Sequence, residues 1–236
     1  MPNRDLRGIL HAVSARELSC GKLLHAFRSQ GVCAALRESA ANFDQVRVGD
    51  HQGIDLSERD RRQRFVSQQI HYTLEARDAE YELLPISVDQ GLGVLVWSPL
   101  AGGLLSGKHR RNQAAPEGSR QFAGWTEPPI RDENRLWDIV ETLVSIAEGR
   151  GVSAAQIALA WLVGRKAVTS VVIGGRTEAQ FKDNLAASEL TLSVEERKLL
   201  DDVSLPPLLY PYWHQRNEAT DRLSKADLEL LSAHLK

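Results

Sequence analysis

At 236 residues, with 42% apolar and 25% charged side chains, the chain has the composition of an ordinary globular protein of one or two domains, which excludes a disordered or fibrous reading. Its 29 Lys plus Arg against 31 Asp plus Glu leave a formal charge of -2, and no basic stripe interleaved with aromatics occurs, so nucleic acid is not an expected partner. Cys20 and Cys33 are too few for a disulfide framework and lack zinc-site pairing, which points to a reducing, cytoplasmic compartment. No apolar run is long enough to span a membrane and residues 1–5 lead into no signal-like stretch, so no membrane partner is expected.

Residues 1–63 form an atypical segment with scattered glycines and no sustained strand pattern. Leu18 to Phe27 and Ala34 to Ala41 are candidate short helices there. From residue 64 to 236 strand and helix signals alternate at the spacing of βα units. Phe65 to Tyr72 reads as a strand, Glu75 to Val88 as a helix stopping at Gly91, and Gly93–Val94–Leu95–Val96–Trp97 as a strand buried on both faces. A long polar connection, Ser98 to Pro129, exceeds the usual loop length, and such loops are commonly functional or mobile, so its length is a signal of a site. Helices follow at Asp132 to Gly149 and Ser153 to Gly164, the second opened by a Ser153/Gln156 capping box. Val168 to Ile173 is a β-branched strand, Gly174–Gly175 a turn, and capping boxes at Thr177/Gln180 and Ser193/Glu196 open two more helices. Periodicity is lost through Tyr210–Pro211–Tyr212–Trp213–His214, and a last amphipathic helix is expected at Ser224 to His234.

The polar carboxyl ends of the three strands are Gln68 and Gln69, Trp97 and Ser98, and Gly174 to Arg176. In parallel α/β folds ligands sit at that end. Gly174–Gly175 before a helix can offer free amides and a dipole to a phosphate, with Arg176 adding a guanidinium, or it can be an ordinary turn. Trp97 alone reads as core or as a cofactor platform. Ser98 to Lys108, with hydroxyls, glycines and a cation, favours a phosphate-cradling loop. Gly102 to Lys108 also matches the start of a triphosphatase P-loop, but His109 replaces its magnesium-binding hydroxyl and no helix pattern follows. Metal and serine-hydrolase motifs are absent. Glu75 with Asp78 reads as a solvated helix face, and His71 as a strand residue.

These segments resemble the aldo-keto reductases, in particular the bacterial branch and the related potassium-channel β-subunits. The resemblance covers residues 63–215 and rests on Arg64 to Gln69, Val96 to Leu100 with Gly107–Lys108, Val172 to Arg176 with Asp183–Asn184, and Tyr210 to Gln215. It implies an α/β, (β/α)8 TIM-barrel fold, NADPH as cofactor and small-molecule aldehydes or ketones as substrates. It further implies Gln69 at the nicotinamide carboxamide, Trp97 stacked on that ring, and Ser98, Pro99, Leu100, Gly102 and Gly103 along the pyrophosphate. Lys108 and Arg176 would hold the 2′-phosphate, with Gly174 in the turn. Ser119 and Arg120 would belong to a loop folded over the cofactor, and Gln180, Asp183 and Asn184 to the adenosine end.

The catalytic Asp, Tyr, Lys and His of the family have no recognisable counterpart. Tyr72, Tyr81, Tyr210 and Tyr212 all lie in the matched later half, and only Asn42–Phe43 after Ser39 echoes an upstream cofactor motif. A βαβ unit needs roughly 30 residues, so residues 1–63 cannot hold the missing strands. The expectation is an incomplete barrel of about three parallel strands, a truncated form of the family without a catalytic set. It would be a carbonyl reductase by family, with a non-catalytic NADPH-binding module or a remnant as alternatives. Nothing in the pattern specifies an oligomeric state.

Overall fold

The computed structural model describes residues 11–12, 65–127 and 129–218. The candidate helices at 18–27, 34–41 and 224–234, and the echo at Asn42–Phe43, lie outside them. Four strands, β1 (His11–Ala12), β2 (Ser67–His71), β3 (Gly93–Trp97) and β4 (Ser170–Ile173), pair in parallel in the order β1-β4-β3-β2. β2, β3 and β4 are the three adjacent parallel strands expected. The two-residue β1 adds to them a strand from a segment that shows no strand pattern.

Alternation along the strands divides the sheet into two faces. Ile70, Val94, Val96, Val171 and Ile173 are at most 3% exposed and form the floor of the core. Gln69 and Trp97, on the opposite face, are exposed, while Leu95 and Val172 are half-buried. A strand run expected to be buried on both faces is therefore covered on one.

Between β2 and β3 lies α1 (Leu83–Gln90), preceded by a short 3-10 turn at Asp78–Glu80. The long helix expected from Glu75 would have put Pro85 in its interior. Starting at Leu83 instead leaves Pro85 in the first turn, where no backbone N–H is required, and Gly91 closes the helix at φ 66°. α2 (Glu133–Arg150) buries Leu136, Ile139, Val140, Leu143, Ile146 and Ala147, a helical stripe against the core. α3 (Ala154–Val163) is buried at eight of its ten positions, as befits a helix with other elements all around it. α4 (Glu178–Ala186) and α5 (Val194–Val203) complete the layer.

Of the three capping boxes expected, only Ser193/Glu196 is reciprocal. Ser153 and Thr177 accept from the amides of Gln156 and Gln180, but the two glutamine side chains are drawn to other partners, Asp183 and the Arg176 amide. The aromatic tail forms a short helix, α6 (Tyr212–Glu218), rather than irregular chain. Its anchor is Tyr212, which stacks on Tyr81 at 4.7 Å and donates to the Tyr81 carbonyl at 2.7 Å, a long-range contact that periodicity cannot reveal. His214 is exposed, edge-on to Trp213 at 5.8 Å.

A buried ion network joins these layers. The Glu80 carboxylate, 1% exposed, accepts from Arg77 Nε and Nη2 at 2.9 Å, from the Tyr72 hydroxyl at 2.6 Å and from Arg165 Nη2 at 3.1 Å. Arg77 also reaches the Asp201 carbonyl and the Ser204 hydroxyl, while Arg165 and Trp161 Nε1 share Asp201 Oδ1. Both guanidinium groups lie over the Trp161 ring, at 4.9 Å for Arg165 and 5.6 Å for Arg77. Removing one partner of such a network leaves the others buried and uncompensated. Glu80→Gln is expected to lower unfolding stability by about 3 to 5 kcal/mol, read as a fall in the urea midpoint with little change in slope.

Candidate cofactor-binding site

Trp97 ends β3 with its indole 42% exposed. His71, its register partner on β2, lies against it with ring centroids 4.8 Å apart and planes inclined by 36°. Gln69 stands two residues before His71 and therefore on the same face of the sheet. β2 ends at His71, so Gln68 and Gln69 are mid-strand rather than at its carboxyl end. Gln68 sits on the helix side, where its amide donates to the Leu83 carbonyl at 2.7 Å and to the Ser87 hydroxyl.

The chain leaves β3 through a tight loop. Ser98 and Ala101 adopt φ of 51° and 48°, a conformation costly for residues with a Cβ, followed by Gly102 at 67° and Gly103 at 103°. The loop is held by its own bonds: Ser98 Oγ accepts from the Gly102 amide at 3.3 Å, and the Ala101, Gly103 and Leu105 amides bond within it. Those amides, Gly102 and Gly103 among them, are thus engaged internally, and what the loop leaves for a close approach is the Ser98 hydroxyl hydrogen and a glycine stretch without side chains. Pro99 is buried and Leu100 half-buried. At Gly107, φ 75°, a Cβ would lie 2.8 Å from Ala154 Cβ, so only glycine lets the loop dock on α3. Lys108 is exposed and begins no helix, whereas His109 is 6% exposed; the P-loop reading fails on the geometry.

Arg176, after β4, donates from Nη1 to the Gly118 carbonyl and thereby ties the long connection to this end of the sheet. Ser119 caps a turn there, accepting from the Phe122 amide at 3.1 Å. Arg120 is exposed, 5.8 Å from the Trp125 ring. Gln180 accepts from the Arg176 amide at 3.0 Å, and Asn184, 6% exposed, donates to the Gly174 carbonyl at 3.1 Å. Asp183 turns to α3, accepting from Ser153 Oγ at 2.6 Å and Gln156 Nε2 at 2.5 Å.

The fold therefore places Gln69 and Trp97 on one face, and joins Arg176, Gln180 and the Ser119 loop at the exit of β4. Asn184 and Asp183 are committed inward. His71 is the residue that the strand pattern alone missed. Its two-residue spacing from Gln69 was the available signal, whereas its register with Trp97 is seen only in the sheet.

The sequence model of the Aldo/keto reductase family matches residues 18–205. The chain belongs to that family. The match also takes in part of the amino-terminal segment. An uncharacterised oxidoreductase of Bacillus subtilis is 35% identical over 59% of the chain. A protein named as a probable voltage-gated potassium channel subunit beta of Arabidopsis thaliana is 35% identical over 53%, and an aldo-keto reductase of Fusarium vanettenii is 32% identical over 61%. The matched regions span 40%, 39% and 38% of those relatives. Family membership gives the α/β fold of a (β/α)8 barrel, to which the three adjacent strands correspond. Among the described residues no cluster of metal-ligating side chains occurs, and no helix is long and apolar enough to cross a membrane.

Burial, opposed by the charge of Asp78, holds the His71 imidazole below its ordinary value of 6.5, and burial does the same to His109. An unfolded histidine titrates near its ordinary value, so keeping these rings neutral contributes stability that is complete above pH 6.5 and lost as pH falls through the lower folded values. His71→Phe, which keeps a ring beside Trp97, is expected to lose less stability than wild type between about pH 7 and about pH 5, a range that spans the ordinary value of 6.5. Urea midpoints at the two pH values check this.

Proposed function

We propose that this chain is an NADPH-binding portion of an aldo-keto reductase whose substrates are small aldehydes and ketones, and that by itself it lacks a working catalytic set. The observation that carries the reading is the half-exposed Trp97 indole at the carboxyl end of β3, with Gln69 on the same face. The nicotinamide would stack there, its carboxamide within the province of Gln69. Ser98 with the Gly102–Gly103 backbone would meet the pyrophosphate, and exposed Arg176 and Lys108 the 2′-phosphate. The cofactor would supply a hydride.

A specific observation favours the non-catalytic form of this reading. Carbonyl reduction in the family needs a tyrosine hydroxyl as proton donor. Tyr72 is buried and donates to Glu80, Tyr81 donates to the Pro207 carbonyl, and Tyr212 donates to the Tyr81 carbonyl. Burial, more than the charges around it, pushes the Tyr72 phenol well above its usual range. Tyr210 stands beside Trp213 in the tail, at 6.0 Å. None is beside Trp97.

The 236-residue chain is expected to reduce aldehydes with NADPH at least about 10²-fold more slowly than an intact family member, the contribution of a missing general acid. A steady-state assay over a panel of aldehydes decides it, and a comparable rate would remove the non-catalytic reading. For the cofactor, tryptophan fluorescence titrations are expected to give affinity for NADPH about tenfold above that for NADH, because a charge-assisted bond to the 2′-phosphate has no counterpart in NADH. Arg176→Ala should erase most of that difference. Equal affinities, unchanged in the variant, would mean that Arg176 does not read the phosphate.

A further inference from the structure

The proposed nucleotide reading turns on Trp97, and a half-exposed indole at the end of a strand has several rotamers open to it. On one side of β3 is β2, where His71 is the register partner of Trp97 and shares its face of the sheet. On the other side is β4, where the register of Val96 with Val171 carries on to the half-buried Val172. The indole lies toward β2, its ring centroid 4.8 Å from that of His71, and among the described residues no other aromatic ring lies against it.

The imidazole is suited to hold it there. It is half-buried, and its Nε2 is shielded from solvent with no hydrogen-bond partner among the described residues. A ring not tethered through that nitrogen is placed by packing. Burial keeps it uncharged at neutral pH, and the contact of two flat rings adds to plain area burial. The backbone under it is fixed, since Ile70 on one side is 3% exposed in the core and Tyr72 on the other donates to Glu80 at 2.6 Å.

The direction of the indole decides what a ligand stacked on it can reach. Gln69 is two residues before His71 and therefore diagonal to Trp97 across the same pair of strands. An indole turned toward β4 would carry a stacked ring away from Gln69, and one resting on His71 brings it toward Gln69. We propose that His71 is a positioning residue for the nicotinamide end of the cofactor, its imidazole holding the Trp97 indole toward β2 so that a ring stacked there meets Gln69. It acts through Trp97 and touches no reacting atom. The consequence for the cofactor rests on the proposed function.

The test is titration calorimetry of the full chain with NADPH and with 2′-phospho-ADP-ribose, which keeps the phosphates and the base but has no nicotinamide. His71→Ala and His71→Leu, the second of which keeps bulk without a ring, are expected to weaken NADPH binding about fivefold, within the range for an aromatic pair. Both should leave 2′-phospho-ADP-ribose within about twofold of wild type. His71→Phe, which restores a flat ring, should return NADPH to within about twofold of wild type. Equal losses for the two ligands would make His71 a support of the fold alone and overturn the proposal, as would unchanged NADPH affinity in His71→Leu or a phenylalanine variant no better than the leucine one. Wild type that binds the two ligands equally would mean that Trp97 does not hold the nicotinamide, which overturns the proposal and leaves the phosphate site standing. Wild type that binds neither overturns the nucleotide reading together with it.

Discussion

The Glu80 carboxylate, enclosed by Arg77, Arg165 and the Tyr72 hydroxyl, is the constraint on which the rest of the arrangement depends. The groups meeting there come from the exit of β2, the turn before α1, the end of α3 and the end of α5. A buried ionic cluster contributes little net stability against an apolar substitute, but it tolerates few alternative geometries, because any displaced member is left charged and dry. Cation–π contacts of both arginines with Trp161 fix the same elements from another side. The path of the chain just after His71 follows from this, and with it the setting of Trp97.

The sheet is dressed asymmetrically. Its aliphatic face receives α1 and α3 and forms the core, while Gln69, His71 and Trp97 stand on the other. A parallel sheet is ordinarily covered on both faces, and in a closed (β/α)8 barrel the second cover is the remaining strands themselves. The polar and aromatic character of that second face explains how it can stand half-exposed in a chain whose matches span about two fifths of its relatives' length.

Much of this was legible in the sequence, and where it was not the reasons are physical. β3 runs from Gly93 to Trp97 as read, because a short apolar run between glycine and serine leaves little freedom. The caps at Ser153, Thr177 and Ser193 mark helix starts correctly, since a side-chain oxygen accepting from the amide of the first turn is a local device. Most of what failed was long-range. Gln156 leaves its own helix start for Asp183, and Tyr212 organises a helix by stacking on Tyr81; Glu75, read as part of a solvated helix face, is instead buried by a local turn in which Thr73 Oγ1 accepts from the Glu75 and Ala76 amides. Pro85 was the one local clue that the first helix begins later. Of the site, the strand-end aromatic and the Arg176 turn were visible, whereas the pairing of His71 with Trp97 depends on register and so on the sheet.

The inward turn of Asp183 bears on how a nucleotide would be held. Its carboxylate accepts from Ser153 and Gln156 at the start of α3, where negative charge is favoured by the helix dipole, and a side chain so engaged is not free to reach an adenosine. Asn184 is likewise bonded to Gly174, and Gln180 to the Arg176 amide. On the proposed reading the adenosine end is therefore left mainly to Arg176 and Lys108. Arg176 already links the turn after β4 to Gly118, so the same guanidinium would serve both the loop and the phosphate. Recognition would then be led by charge rather than by contacts to the base, and should weaken with ionic strength as exposed pairs do.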